Sequence, residues 1–75
     1  MRPWNFPYGD LTQREEEALW LYAAGCSDPR IAQILRISVN SVRTYFRRAA
    51  VKLDAPNRPA ALAFFLAIAW GKKLS

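Results

Sequence analysis

SDPRIAQILRISVNSVRTYFRRAAVKL, residues 27–53, sets two helix starts in close succession. Ser27 is a candidate N-cap whose hydroxyl can accept an amide of the first turn, where Pro29 is tolerated because that turn's amides lack intrahelical partners. Ile31, Ala32, Ile34 and Leu35 predict the buried side of a short helix. Arg36 and Ile37 then lead into Ser38, a second N-cap candidate. From about Val39 to Leu53, the residues Val42, Phe46, Ala49 and Leu53 recur at spacings of four, three and four. That period lays one apolar stripe along a helix. Asn40, Thr44, Arg47, Arg48 and Val51 fall on the opposite side, with Arg43 at its edge.

Upstream, Thr12-Gln13-Arg14-Glu15 forms a capping box, in which the Thr hydroxyl takes the Glu15 amide and the carboxylate returns the bond. Ala18, Leu19, Leu21 and Tyr22 give this helix its apolar side, and Gly25 supplies a left-handed stop. Glu15, Glu16 and Glu17 suit the positive end of the helix dipole; we read them as a solvated first turn, with an acidic binding patch as the alternative. Residues 1–10, MRPWNFPYGD, hold two of the five prolines and are expected to form an extended arm. Trp4, Phe6 and Tyr8 then cover the core or meet a partner.

Downstream, Asp54 to Pro56 breaks the third helix, and Asn57 caps a fourth with Pro59 in its first turn. The eleven residues from Ala60 to Trp70 are apolar around the whole circumference. A surface helix ordinarily keeps a polar face, and a chain this short has too little protein to cover such an element on both sides. Gly71 is expected to end it, with Lys72 and Lys73 at the negative end of the dipole. The sequence therefore predicts an all-α domain of four helices over residues 11–75, preceded by the arm.

At 75 residues the chain is one small domain, and 52% hydrophobic residues exclude a disordered tail. It has no His and a single cysteine, Cys26. That composition excludes an internal disulfide, a Cys/His zinc site and histidine-based acid–base catalysis, so neither an enzyme nor a bound metal or cofactor is expected. Cys26 is read as an inert structural thiol, the alternative being a pKa lowered by the neighbouring helix start. No signal peptide is visible, and the apolar run is too short to span a bilayer. A lone thiol fits a cytoplasmic setting.

Charge is unevenly spread within a net of +5. Residues 10–28 hold five acidic groups and one Arg, net −4; residues 30–58 hold seven basic groups and one acidic, net +6. The positive stretch centres on the third helix. A short helix, a tight turn and a second helix with a basic outer side are the parts of a helix-turn-helix, whose second helix enters the DNA major groove. Arginine forks there match guanine O6 and N7, while phosphates take Arg, Lys, Ser, Asn and helix-start amides. On charge alone, a merely solvated basic face fits as well.

Leu11-Thr12 is followed by Arg14-Glu15, then Gly25 and Ser27, Ile31-Ala32 and Leu35, and Ile37-Ser38, Val42-Arg43, Lys52-Leu53 and Asn57-Arg58 complete an ordered series. In that order and spacing residues 11–62 resemble the LuxR/GerE-type DNA-binding domain, also found at the C-terminus of NarL-like response regulators. The resemblance implies a tetrahelical helix-turn-helix domain, with base contacts from Arg43, Thr44 and Arg47. Phosphate contacts would fall on Thr12, Ser38, Asn40, Ser41, Arg48 and Lys52, although Thr12 and Ser38 serve equally as caps. Arg30 departs from the usual acidic residue, Tyr45 from a common His and Ala49 from a larger aliphatic.

The function expected is a sequence-specific, DNA-binding transcriptional regulator. It pairs as a homodimer through Ala60, Phe64, Ala67 and Trp70, while Leu62, Phe65 and Ala69 face the domain. The sequence reads as a stand-alone module, without the receiver or ligand-binding domain that ordinarily switches such regulators. The alternative is a protein-interaction module that pairs with, or inhibits, another regulatory protein through its apolar fourth helix. A membrane-surface helix is disfavoured, since that run lacks the charged face it needs. No small-molecule ligand is indicated.

Overall fold

A computed structural model describes the backbone of residues 11–74 and the side chains of residues 11–70. Four helices follow in order: α1 (Gln13–Ala23), α2 (Asp28–Leu35), α3 (Val39–Lys52) and α4 (Arg58–Leu74). No strand occurs among the described residues. The expected arm, with Trp4, Phe6 and Tyr8, lies outside them.

Each helix starts where a short polar side chain takes an orphan amide. The Thr12 hydroxyl accepts from the Glu15 amide at 3.2 Å, and the Thr12 amide donates to Glu15 Oε1 at 2.9 Å, completing the capping box. Ser27 accepts from the Arg30 amide at 3.3 Å, Ser38 from Ser41 at 3.0 Å and Asn57 Oδ1 from Ala60 at 2.9 Å. The first three helices end alike, on one left-handed residue: Gly25 (φ 94), Arg36 (φ 59) and Asp54 (φ 55). After each, the next amide reaches back five residues: Cys26 to Leu21, Ile37 to Ala32 and Ala55 to Ala50, at 2.8 to 3.0 Å. These are Schellman closures, and only the first uses a glycine. The fourth helix departs from expectation. It runs through Gly71 to Leu74, because glycine weakens a helix interior by only about 1 kcal/mol and stops it only where the backbone turns left-handed.

All four expected members of the α3 stripe, Val42, Phe46, Ala49 and Leu53, are buried. They meet Ala18 and Leu19 of α1, Ile31, Ala32 and Leu35 of α2, and Ala61 and Phe65 of α4 in one core. The third helix packs against each of the other three. Burying an aliphatic side chain of this size stabilises by about 1.5–3 kcal/mol. Aromatic edges tie the periphery together. Trp20 meets Phe65 with ring centroids 5.0 Å apart, and Tyr22 meets Phe46 at 5.4 Å.

Two residues depart from the sequence reading. Ile34 is 43% exposed rather than buried. Ile31, Ala32 and Leu35 already fill an arc of about 100°, and Ile34 lies about 60° beyond its edge. Glu15, read as part of a solvated turn, is buried. Its carboxylate accepts from the Thr12 amide and, at 2.7 Å, from the Lys52 ammonium, which locks the start of α1 to the end of α3.

Candidate nucleic-acid interface

Because Val42, Phe46, Ala49 and Leu53 fix the inner side of α3, its outer side is fixed as well. Asn40, Arg43, Arg47, Arg48 and Val51 are exposed, and Thr44 is half-buried between them. At about 100° per residue, Asn40, Arg43, Thr44, Arg47 and Val51 share an arc of about 100°. The three residues expected to touch bases therefore stand side by side, with no buried group in the way. The Thr44 hydroxyl donates to the Asn40 carbonyl at 3.0 Å, so its oxygen remains an acceptor.

The start of α3 offers a second kind of surface. The Ser38 hydroxyl takes the Ser41 amide and lies 3.0 Å from the Ser41 hydroxyl, to which it donates. Helix geometry leaves the amides of Val39 and Asn40 without intrahelical acceptors. Together with the helix dipole they favour an anion such as phosphate. Thr12 is exposed and acts as a cap, and the Glu15–Lys52 link brings it to the far end of α3. Lys52, expected on phosphate, instead has its ammonium against Glu15. Arg48 is exposed on the flank of α3.

Two groups beside this surface carry no local signal in the sequence. Asp28, the first residue of α2, receives the Arg58 guanidinium through two bonds of 2.7 and 3.1 Å. Arg58 also lies over the Phe46 ring, 4.1 Å from its centroid, and over Tyr22 at 5.3 Å. The same Asp28 Oδ2 stands 4.0 Å from Arg43 Nε. Opposite charges thirty positions apart carry no periodic signal, so neither partner was legible in advance. A shallow groove of about 470 Å³ lies between Arg43 and Arg47 on one side and Pro56 and Arg58 on the other.

The fourth helix presents a separate, apolar surface. Phe64, Leu66 and Trp70 are 41%, 37% and 65% exposed, and Ala63 and Ala67 are exposed beside them. Ala60, expected on this side, is half-buried. The inner side is Ala61 and Phe65, with Leu62, Ile68 and Ala69 partly covered. Trp20 of α1, 49% exposed, extends the apolar area next to Phe65. Among the described residues no helix is long and apolar enough to cross a membrane, and no cluster of metal-ligating side chains occurs. Cys26 is a free, half-buried thiol.

Residues 10–65 match the pattern of the bacterial regulatory proteins of the luxR family. Over 60 residues the chain is 38% identical to the nitrate/nitrite response regulator protein NarP of Escherichia coli (strain K12), a match covering 80% of this chain and 28% of that protein. Over 58 residues it is 41% identical to the HTH-type quorum sensing-dependent transcriptional regulator VjbR of Brucella ovis, covering 77% of this chain and 22% of the relative. The same figures hold for VjbR of Brucella abortus. The chain thus spans under a third of the length of these relatives.

Proposed function

The chain belongs to the luxR family of bacterial regulatory proteins, and on that premise we propose that it regulates transcription in the cytoplasm by reading double-stranded DNA as a homodimer. The observation that carries this reading is the outer side of α3. Arg43, Thr44 and Arg47 form one uninterrupted face on a helix whose opposite side is buried. An α-helix fits the major groove, and there Arg43 and Arg47 fork guanine edges while Thr44 takes a smaller donor. Thr12, Ser38, Asn40, Ser41 and Arg48 meet phosphates and set the register of the helix in the groove. Lys52 joins them only where phosphate replaces Glu15.

Dimerisation rests on the exposed apolar side of α4, centred on Phe64, Ala67 and Trp70 with Ala60 at its margin. Two copies joined there place two α3 helices on half-sites about one helical turn apart. The same surface supports a second reading, in which α4 pairs with the corresponding helix of another regulatory protein and holds that protein off DNA. Sedimentation equilibrium with and without a duplex, at two salt concentrations, separates them. A dimer whose duplex binding weakens steeply with salt supports the regulator. Indifference to every duplex refutes it and favours the interaction module. Arg43→Ala or Arg47→Ala should cost about 1–3 kcal/mol of binding and relax base preference at one position. If neither variant changes binding or preference, the assignment of α3 fails.

A further inference from the structure

We infer that Asp28 is a positioning residue for Arg43, holding its guanidinium for base recognition and away from phosphate. This rests on the duplex-reading function proposed above.

Asp28 opens α2, where the helix dipole favours a negative charge. Its side chain is 19% exposed, and Arg58 grips both oxygens. Arg58 is in turn held over Phe46, a member of the core, and over Tyr22. The carboxylate orientation is thus set by four elements at once: α2, the start of α4, α3 through Phe46 and α1 through Tyr22. Such a group is a fixed acceptor rather than a mobile surface charge.

Arg43 is the free member of the cluster, with its side chain 62% exposed. Its Nε, not its terminal nitrogens, is the atom 4.0 Å from Asp28 Oδ2. Arginine carries five donors in a planar fork. A carboxylate 4.0 Å from Nε, beyond hydrogen-bond reach, draws the guanidinium toward Asp28 by charge and leaves both terminal amino groups for guanine O6 and N7. Ordering in advance removes part of the rotamer entropy that a long side chain loses on binding. The carboxylate also repels phosphate. Asp28 therefore has two effects of opposite sign: it lowers affinity for DNA of any sequence and raises discrimination between sequences.

Those opposed signs define the test. A preferred duplex is selected with the full chain from a randomised pool, and a scrambled duplex of the same composition serves as the reference. Dissociation constants are measured for the wild type, D28N, R43A and D28N/R43A. For D28N, affinity for the scrambled duplex should rise about twofold, while discrimination falls by about three- to tenfold. In the R43A background, adding D28N should leave discrimination unchanged, because the residue it positions is gone. An equal change on both duplexes would mean charge alone and overturns the inference. A loss of discrimination that persists undiminished beside R43A would mean structural damage and overturns it too. If D28N does not fold by circular dichroism, D28N/R58M removes the pair together, leaves no buried charge unpaired, and is read in the same ratios. A wild-type chain that prefers no duplex overturns both this inference and the proposed function. Selection followed by equal changes on both duplexes overturns this inference alone.

Discussion

Replacing Lys52 with Met should destabilise the domain by about 2–3 kcal/mol, a large effect for one methylene-rich side chain near the end of a helix. Glu15 sets the magnitude. Its side chain is 2% exposed, and its carboxylate accepts from two groups, the Lys52 ammonium at 2.7 Å and the Thr12 amide at 2.9 Å. Removing one partner of a buried pair costs about 3–5 kcal/mol, because the other charge is left unpaired. Two features reduce that here. The Thr12 amide and the dipole of α1 still favour the carboxylate, by about 0.3–1 kcal/mol for the dipole. Lys52 is itself 32% exposed, so its removal lets water approach Glu15. For a domain of this size the loss lowers Tm by about 10–20 °C. Urea and thermal melts followed by circular dichroism provide the assay, with E15Q and E15Q/K52M alongside. E15Q should cost about 1 kcal/mol, since the exposed end of Lys52 can turn to water. The double variant should lie within about 1 kcal/mol of the wild type, because it buries no charge and keeps a carbonyl for Thr12. A K52M loss below about 0.5 kcal/mol, or a double variant as unstable as K52M, would show that Glu15 does not depend on Lys52 for its charge. A binding measurement adds a separate check, since a Lys52 committed to Glu15 predicts that K52M leaves the salt dependence of duplex binding unchanged.

Arg36→Gly should stabilise the domain by about 0.5–1 kcal/mol, as seen in a urea melt, because the left-handed turn after α2 costs glycine nothing and an L side chain about that much. Ile31→Val should cost about 1 kcal/mol in the same assay, the loss of one methylene from a fully buried site. Trp70→Ser should weaken self-association in sedimentation while leaving the monomer's melting temperature within a few degrees, because the ring is 65% exposed.

The local features of the fold were legible in the sequence. The capping box at Thr12, the caps at Ser27, Ser38 and Asn57, and the α3 stripe all depend on residues within one or two turns of each other. Pattern and chemistry coincide at that range. The exposed face of α3 followed directly, since a helix with one side committed to the core has its other side assigned. What stayed hidden is long-range or lacks phase. Glu15 meets Lys52 across 37 positions, and Asp28 meets Arg58 across 30. No periodicity links such partners. A helix that is apolar all round offers no contrast between sides, so nothing in the sequence separates Ala61, which is buried, from the half-buried Ala60 beside it. Two of the three left-handed stops, Arg36 and Asp54, are not glycines. Composition alone does not mark them, although each is closed by the same bond reaching back five residues as at Gly25, and Asp54 also repeats the second bond that Gly25 makes to Tyr22, here to Val51.

The central position of α3 bears on the thermodynamics of recognition. A helix that packs against all three others, with Val42, Phe46 and Ala49 in the core and Leu53 buried at its C-cap, is complete before any ligand arrives. Its docking involves no coil-to-helix transition. The heat-capacity change on duplex binding should then reflect only the surface hidden at contact, without the large negative contribution of coupled folding. Calorimetry across temperature would register that difference as a shallow slope, and proton exchange of the α3 amides would be slow already in the unbound protein.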